Sequence, residues 1–339
     1  KIGNIKEDVV DVSVLHNAVE AVLMGSKYKN TARKYIEKRS ERDRERMTNT
    51  AMWKAIQSVV EQSNPELLKE NANLNTRTLN SQRTLMVGEL SREIGKHIIP
   101  AHIYKAHEQG LIHFHDITFS PALPFSNCAL VDLKGMFENG FVLGGAHIGT
   151  PKSIGVATAV TAQIISQVSS SHYGGTSVAN IDQVLAPYVK ASYDKHVMNA
   201  EKWGVANKEE YAKELTIKEC EQSFQALEYE VNSLFNSHAQ SPFTTISFGM
   251  GTSWEERLIQ KCILQNRLDG FGVDKITAIF PKLVFIIEDG INLKPTDPNY
   301  DIKQLALKCS SVRMYPDIIS SKNNKQITGS SVPVTSMGK

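Results

Sequence analysis

"LIHFHDITFSPALPFSNC", residues 111–128, places two histidines and an aspartate within four positions and ends, twelve residues after Asp116, on a lone cysteine. Read with a period of two, residues 111–119 form a strand with His113 and His115 on one face and Phe114 and Asp116 on the other. "CALVDL", "FTTISFG" and "KLVFIIE" read likewise as short β-runs. Helical periodicity fills the intervals. A helix from Leu85 to Ile99 stops at Pro100, and a short one from Ala101 to Gln109 is closed by Gly110. Thr150 and Pro151 are read as N-cap and first residue of a buried helix through Ile154, Ala157, Thr161, Ile164, Ile165 and Val168. The next starts near Ile181 and is expected to kink at Pro187, and a long amphipathic run covers 208–237. Strands alternating with helices make an α/β chain, a sheet or barrel with helices outside.

The composition is that of a soluble globular chain with ample core: 339 residues, 41% hydrophobic, 22% charged and a net charge of +2. Near-balanced charge gives no general electrostatic grip on nucleic acid or an acidic membrane surface. No apolar run is long enough to span a bilayer and no secretory leader pattern opens the chain, so the expectation is a cytoplasmic protein with no membrane partner. Residues 27–47 carry nine Lys or Arg against four Asp or Glu, after the apolar-periodic "VSVLHNAVEAVLMG". We read 1–47 as a small helical unit with a charged linker. The main domain runs from 48 to 339, opening on a helical stripe of Met52, Ile56, Val59 and Val60. The chain begins at Lys1 and stops at "VPVTSMGK" with no capping element, as a piece of a longer protein would.

Four cysteines, at 128, 220, 262 and 309, form no CxxC pair and read as free thiols. Cys220 and Cys262 fall on apolar helix faces and need only a packing role. Cys128 opens a short strand after "SPALPFSN", and Cys309 follows "IKQLALK" at the head of the polar "CSSVRMYPD". Both are read as lying at element ends, where scaffolds present functional groups. Three readings of the His-His-Asp cluster stay open. It is an incomplete metal site, since a catalytic zinc needs three protein ligands and no third stands at a familiar spacing. It is a pair of satisfied histidines in a polar part of the core. Or it lines a substrate pocket beside a redox or radical thiol pair.

Taken together, "GLIHFHD", "PFSNCALVDL", "SSHYGGTSVANIDQVLAPYV", "QSPFTTISFGMGT", "CSSVRMYPDII" and "TGSSVPVTSMG", in this order, resemble the anaerobic, glycyl-radical class of ribonucleoside-triphosphate reductase from about 48 to 338. Residues 1–47 resemble the tail of the ATP-cone that precedes the catalytic domain in such enzymes. The resemblance implies a ten-stranded α/β barrel, of which this chain is the first part, and thiyl-radical reduction of ribonucleoside triphosphates to deoxyribonucleotides for DNA synthesis. Motif by motif, it gives Cys309 the thiyl role at the 3′ hydrogen and Ser311 a place near the substrate hydroxyls. Cys128 is to deliver hydrogen to the 2′ carbon, and His113 and His115 are to handle protons or position substrate. Ser126 and Asn127 stand beside Cys128 as substrate-binding candidates.

The resemblance further implies formate as reductant and ATP and deoxynucleotide effectors bound near a homodimer face built by helices around 153–199. It implies a glycyl radical installed by a radical S-adenosylmethionine iron–sulfur activase, and a zinc-binding cysteine cluster. The glycine and the zinc cluster belong to the C-terminal half, as does a cysteine-containing stretch that follows "SMG" in the family. That half is expected from a second polypeptide, or to have been lost by truncation or processing. A non-catalytic nucleotide-binding or dimerising remnant, or a metal-dependent hydrolase using the HxHD cluster, are the competing readings.

Overall fold

The structure is a computed structural model that describes residues 11–48, 50–63, 65, 78–123 and 126–329. Most of "TGSSVPVTSMG" and the last two residues before Ser126 lie outside the described residues. The centre is a five-stranded sheet of β1 (Ala129–Val131), β4 (Thr176–Val178), β5 (Thr244–Phe248), β6 (Lys282–Ile287) and β7 (Asp317–Ser320), paired in that order. Every pairing is parallel. A separate hairpin, β2 (Phe141–Leu143) and β3 (Ala146–Ile148), turns on Gly144 and Gly145, both at positive φ.

Strand order follows chain order without reversal. Right-handed crossovers between such neighbours return every connecting helix to the same side of the sheet. That side holds α7 (Ile154–Ser169), α8 (Ile181–Lys202), α9 (Lys208–Ser233), α10 (Trp254–Asp269) and α11 (Tyr300–Arg313). Val131, Val178, Ile246 and Leu283 stand in one register row and pack into the core with these helices. The alternate row, Leu130, Ser177, Thr245 and Lys282, points the other way. The sheet therefore has an apolar face under the helices and a more polar face opposite, and β1 and β7 are its edges.

Buried polar groups fix how the helices enter. Asp182, in the first turn of α8, accepts hydrogen bonds from Gly249 N (3.1 Å), Gly251 N (3.2 Å) and Gln260 Nε2 (2.6 Å), tying α8 to the loop after β5. Burial holds its carboxyl above the ordinary range. Helix α10 opens on a capping box formed by Ser253 and Glu256. Helix α7 begins three residues later than expected. Ser153 caps it, because the Thr150 hydroxyl donates instead to the Phe137 carbonyl at 2.8 Å. Helix α8 runs from Ile181 to Lys202 with Pro187 inside it.

Before the sheet lie α1 (Val12–Gly25), α2 (Lys29–Thr48), α3 (Ala51–Val60), α4 (Leu79–Ile98) and α5 (Ala101–Glu108). Helices α1 and α2 pair through His16 Nδ1 and Tyr35 OH (2.6 Å) and through Arg39 and Glu20 (2.9 Å). After α5 the chain departs from expectation. Residues 111–119 form a bend and irregular backbone followed by a turn from 115, not a strand. Asp116 sits at φ +56°, and its carbonyl accepts from both Phe119 N and Ser120 N at 2.9 Å, which closes a helical turn where alternation called for extended backbone. Short helices α6 (Leu133–Asn139) and α12 (Ser321–Thr328) complete the described chain.

Candidate active site

Although 111–119 is no strand, its two histidines still meet. The rings of His107, His113 and His115 follow one another at 5.8 and 5.9 Å between centroids, and Phe114 N donates to His107 Nδ1 at 3.2 Å. His115 Nδ1 pairs with the Asp116 carboxylate. His113 and His115 are both exposed. From α4, the Ser91 hydroxyl donates to the Ile117 carbonyl (3.2 Å) and anchors this turn. Among the described residues, no three His, Cys, Asp or Glu converge as a metal cage.

Cys128 is half-buried at the start of β1. Its thiol donates to Asn127 Oδ1 (3.4 Å) and accepts from Gly175 N (3.3 Å), while Ala129 N donates to the Gly175 carbonyl (2.9 Å). Alternation along β1 gives Cys128 the side of Leu130, away from the helices. Asn127 and Ser126 are exposed beside it.

"HYGGT", residues 172–176, falls in the stretch that the resemblance assigned to the effector-binding dimer face. In the structure it is the wall of the Cys128 site. A Cβ on Gly174 would come within 2.8 Å of Cys128 Sγ and closer still to Asn127, so only glycine lets the backbone lie against the thiol. Buried His172 bonds Thr176 Oγ1 through Nε2 at 3.0 Å, and burial lowers its pKa. Tyr173 stacks on Phe119 (5.7 Å, 11° between planes), and His238 meets Phe119 edge-on. Phe119 and His238 also line an open cavity of about 410 Å³ with Asn80, Arg83, Thr84 and Ser237. Two adjacent glycines after an aromatic, ahead of a strand, were the available signal for this loop.

Cys309 is a correction. It does not head an irregular segment. It lies inside α11, fully buried, with its thiol directed to the Leu264 carbonyl of α10 at 3.6 Å. It belongs to the core beneath the helices, whereas Cys128 does not. The charges acting on it are Arg267, Arg313 and Glu228, and burial lifts its pKa to about 11. Cys128 and Cys309 have different hydrogen-bond partners, and the sheet separates the two faces. Facing of the two sulfurs across one sugar is therefore not what this fold provides. Ser311 is also displaced. At roughly 100° per residue it stands about 200° around α11 from Cys309, exposed, with its hydroxyl on the Lys308 carbonyl (2.8 Å). Cys220 and Cys262 are buried between α9 and α10, as the packing reading holds.

Residues 70–339 match the model of the family described as anaerobic ribonucleoside-triphosphate reductase. The chain belongs to that family. It is 61% identical over 285 residues to the anaerobic ribonucleoside-triphosphate reductase of Enterobacteria phage T4, covering 84% of this chain and 47% of that protein. With the enzymes of the same name from Escherichia coli and Haemophilus influenzae it shares 52% and 51% over 322 residues, 95% of this chain and 45% and 46% of theirs. The chain thus spans about half the length of these relatives. A solved structure of the anaerobic ribonucleotide reductase from Thermotoga maritima aligns at 14% identity and TM-score 0.49, over 93% of this chain and 56% of that one. Among the described residues no helix is long and apolar enough to cross a membrane.

Proposed function

We propose that this chain forms the Cys128 half of the active site of an anaerobic ribonucleoside-triphosphate reductase. The observation that supports this most is the family match over 70–339, together with Cys128 held by Asn127 and Gly175 at the sheet edge and the HxHD turn joined to the same loop by the Phe119–Tyr173 stack. Cys128 delivers hydrogen to the 2′ carbon. His113 or His115 gives a proton to the departing 2′ hydroxyl, the two events falling on adjacent atoms. Ser126 and Asn127 contact the substrate. The thiyl role passes from the sealed Cys309 to the cysteine-containing stretch that follows "SMG" in the family. A glycyl radical in the remaining half, installed by the radical S-adenosylmethionine activase, supplies the oxidant, and formate the electrons.

Both edges of the sheet present backbone that further strands would pair, with Leu130 57% and Ile318 37% exposed. In this reading those strands complete the ten-stranded barrel, supplied by a second polypeptide or by the rest of a longer chain. Effector nucleotides bind the cavity of about 700 Å³ at the carboxyl ends of β1 and β4, where Lys134, Asn180, Gln183 and Tyr188 surround the start of α8. Helices α7 and α8 form the homodimer face. Helices α1 and α2 are the ATP-cone remnant, with residues 48–339 as the first part of the catalytic barrel in the cytoplasm.

The test is an anaerobic assay with activase, formate and a ribonucleoside triphosphate. Deoxynucleotide is expected when this chain is combined with the polypeptide carrying the remaining half. Assembly of the two without any deoxynucleotide would favour the non-catalytic remnant.

A further inference from the structure

The open cavity of about 410 Å³ beside Phe119 takes no part in the reaction as outlined, and its walls carry hydrogen-bonding groups that the fold does not use. Asn80, Arg83, Thr84 and Val87 reach it from one face of α4, at the spacing of successive helical turns. Thr84 Oγ1 donates to the His238 carbonyl at 3.3 Å and so joins α4 to the loop after α9. Ser237, on that loop, is fixed by its N–H on Ser170 Oγ (3.0 Å) and its hydroxyl on the Ser170 carbonyl (3.3 Å). These two hydroxyls are spent on holding the walls together. The Asn80 amide, the Arg83 guanidinium and the ring nitrogens of His238 are not, for among the described residues none of them has a hydrogen bond or an ion pair. No carboxylate lines the cavity, so Arg83 brings a positive charge that nothing on the described walls offsets. Val87, Phe119 and Leu123 make the remaining wall apolar.

We propose that this cavity is a nucleotide-binding site separate from the Cys128 pocket, taking the phosphates of a nucleoside diphosphate or triphosphate on Arg83, Asn80 and His238 and the base against Phe119 and Leu123. The planar fork of a guanidinium matches two phosphate oxygens, and the amide and imidazole N–H groups add donors without a competing acceptor charge. Burial lowers the His238 pKa, so at neutral pH its ring is uncharged and offers a single N–H, which leaves Arg83 as the cation of the site. The volume is that of a small-molecule site and far exceeds a lone phosphate, and the apolar wall is what a base would cover. Neither Cys128 nor its partners Asn127 and Gly175 line this cavity, and it shares no residue with the one of about 700 Å³ at the start of α8. The inference does not rest on the role given to Cys128.

Photolabelling of the chain with an azido-adenine analogue of ADP, followed by peptide mass mapping, tests the site where it lies. Label should appear on the peptide carrying Phe119 and Leu123 and be displaced by ADP, less readily by inorganic pyrophosphate and least by adenosine. Arg83→Gln should raise the half-saturating concentration for that peptide by about tenfold or more with an unchanged melting curve, since the guanidinium holds nothing in the fold. His238→Gln should raise it by about threefold. Leu123→Ala, at a residue 40% exposed, should weaken displacement by ADP and leave displacement by pyrophosphate unchanged. Lys134→Gln, in the other cavity, should leave this label as in wild type. Absence of label from this peptide, or saturation unchanged in both Arg83→Gln and His238→Gln, overturns the proposal. Displacement by pyrophosphate as readily as by ADP overturns it too, because the site would then read phosphate alone. Labelling needs no turnover, so its outcome is separate from whether the reductase reaction runs on this chain.

Discussion

Cys128→Ser in the assembled enzyme should stop deoxynucleotide formation, by roughly a thousandfold or more, while substrate still binds. A serine hydroxyl nearly matches the thiol in shape and can still accept from Gly175 N, so the clasp between β1 and the 172–176 loop persists. What is lost is the weak S–H bond from which, on the proposed function, hydrogen is delivered to carbon. Release of label from a 3′-tritiated substrate should continue, since the proposed function assigns that hydrogen to a different thiol. The two readouts, product and 3′ label, separate a broken reduction step from a broken pocket. Deoxynucleotide synthesis within about tenfold of wild type would remove Cys128 from the role given to it here.

Arg267→Ala is expected to be the most destabilising single change in the described chain, for a reason located in the helix layer. Arg267 is 1% exposed, with Nε on Glu228 Oε1 (2.9 Å), Nη2 on the Pro281 carbonyl (2.7 Å) and its guanidinium over the Tyr315 ring at 5.9 Å. One side chain thus links α9, the start of β6 and the entry to β7. Burial already pushes the Glu228 pKa up, and without Arg267 only Asn266 Nδ2, at 2.7 Å, still bonds its carboxylate. Breaking a buried pair from one side costs about 3–5 kcal/mol. Urea denaturation of the chain should show a loss in that range. A loss under about 1 kcal/mol would mean that the pair is neutralised or relaxes freely.

The helix layer was the most legible part of the sequence, because periodicity and punctuation agreed. Gly110 closes α5, while β5 and β6 are runs in which apolar and small residues follow one another and are buried almost throughout. The HxHD turn was misread because alternating His and Phe imitate a strand, and nothing local announces that Asp116 adopts positive φ. "CSSVRMYPD" was misread for the converse reason. Its serines and arginine look like a loop, yet they are the outer face of a helix whose inner face is Cys309, Ala306 and Ile302. The helix ends only at Met314, in the left-handed conformation, shortly before Pro316. That misreading put a core thiol into the pocket. Family membership survives the correction because it rests on the whole of 70–339 and not on one pair of sulfurs.

The claim on which the account turns is that the thiol presented to chemistry is Cys128, while Cys309 is scaffold under the opposite face of the sheet. Brief treatment of the folded chain with iodoacetamide, followed by peptide mass mapping, tests it directly. Label should collect on Cys128, and Cys309 should react only at the rate at which the helix layer opens. Label on Cys309 at a rate comparable to Cys128 would contradict the account.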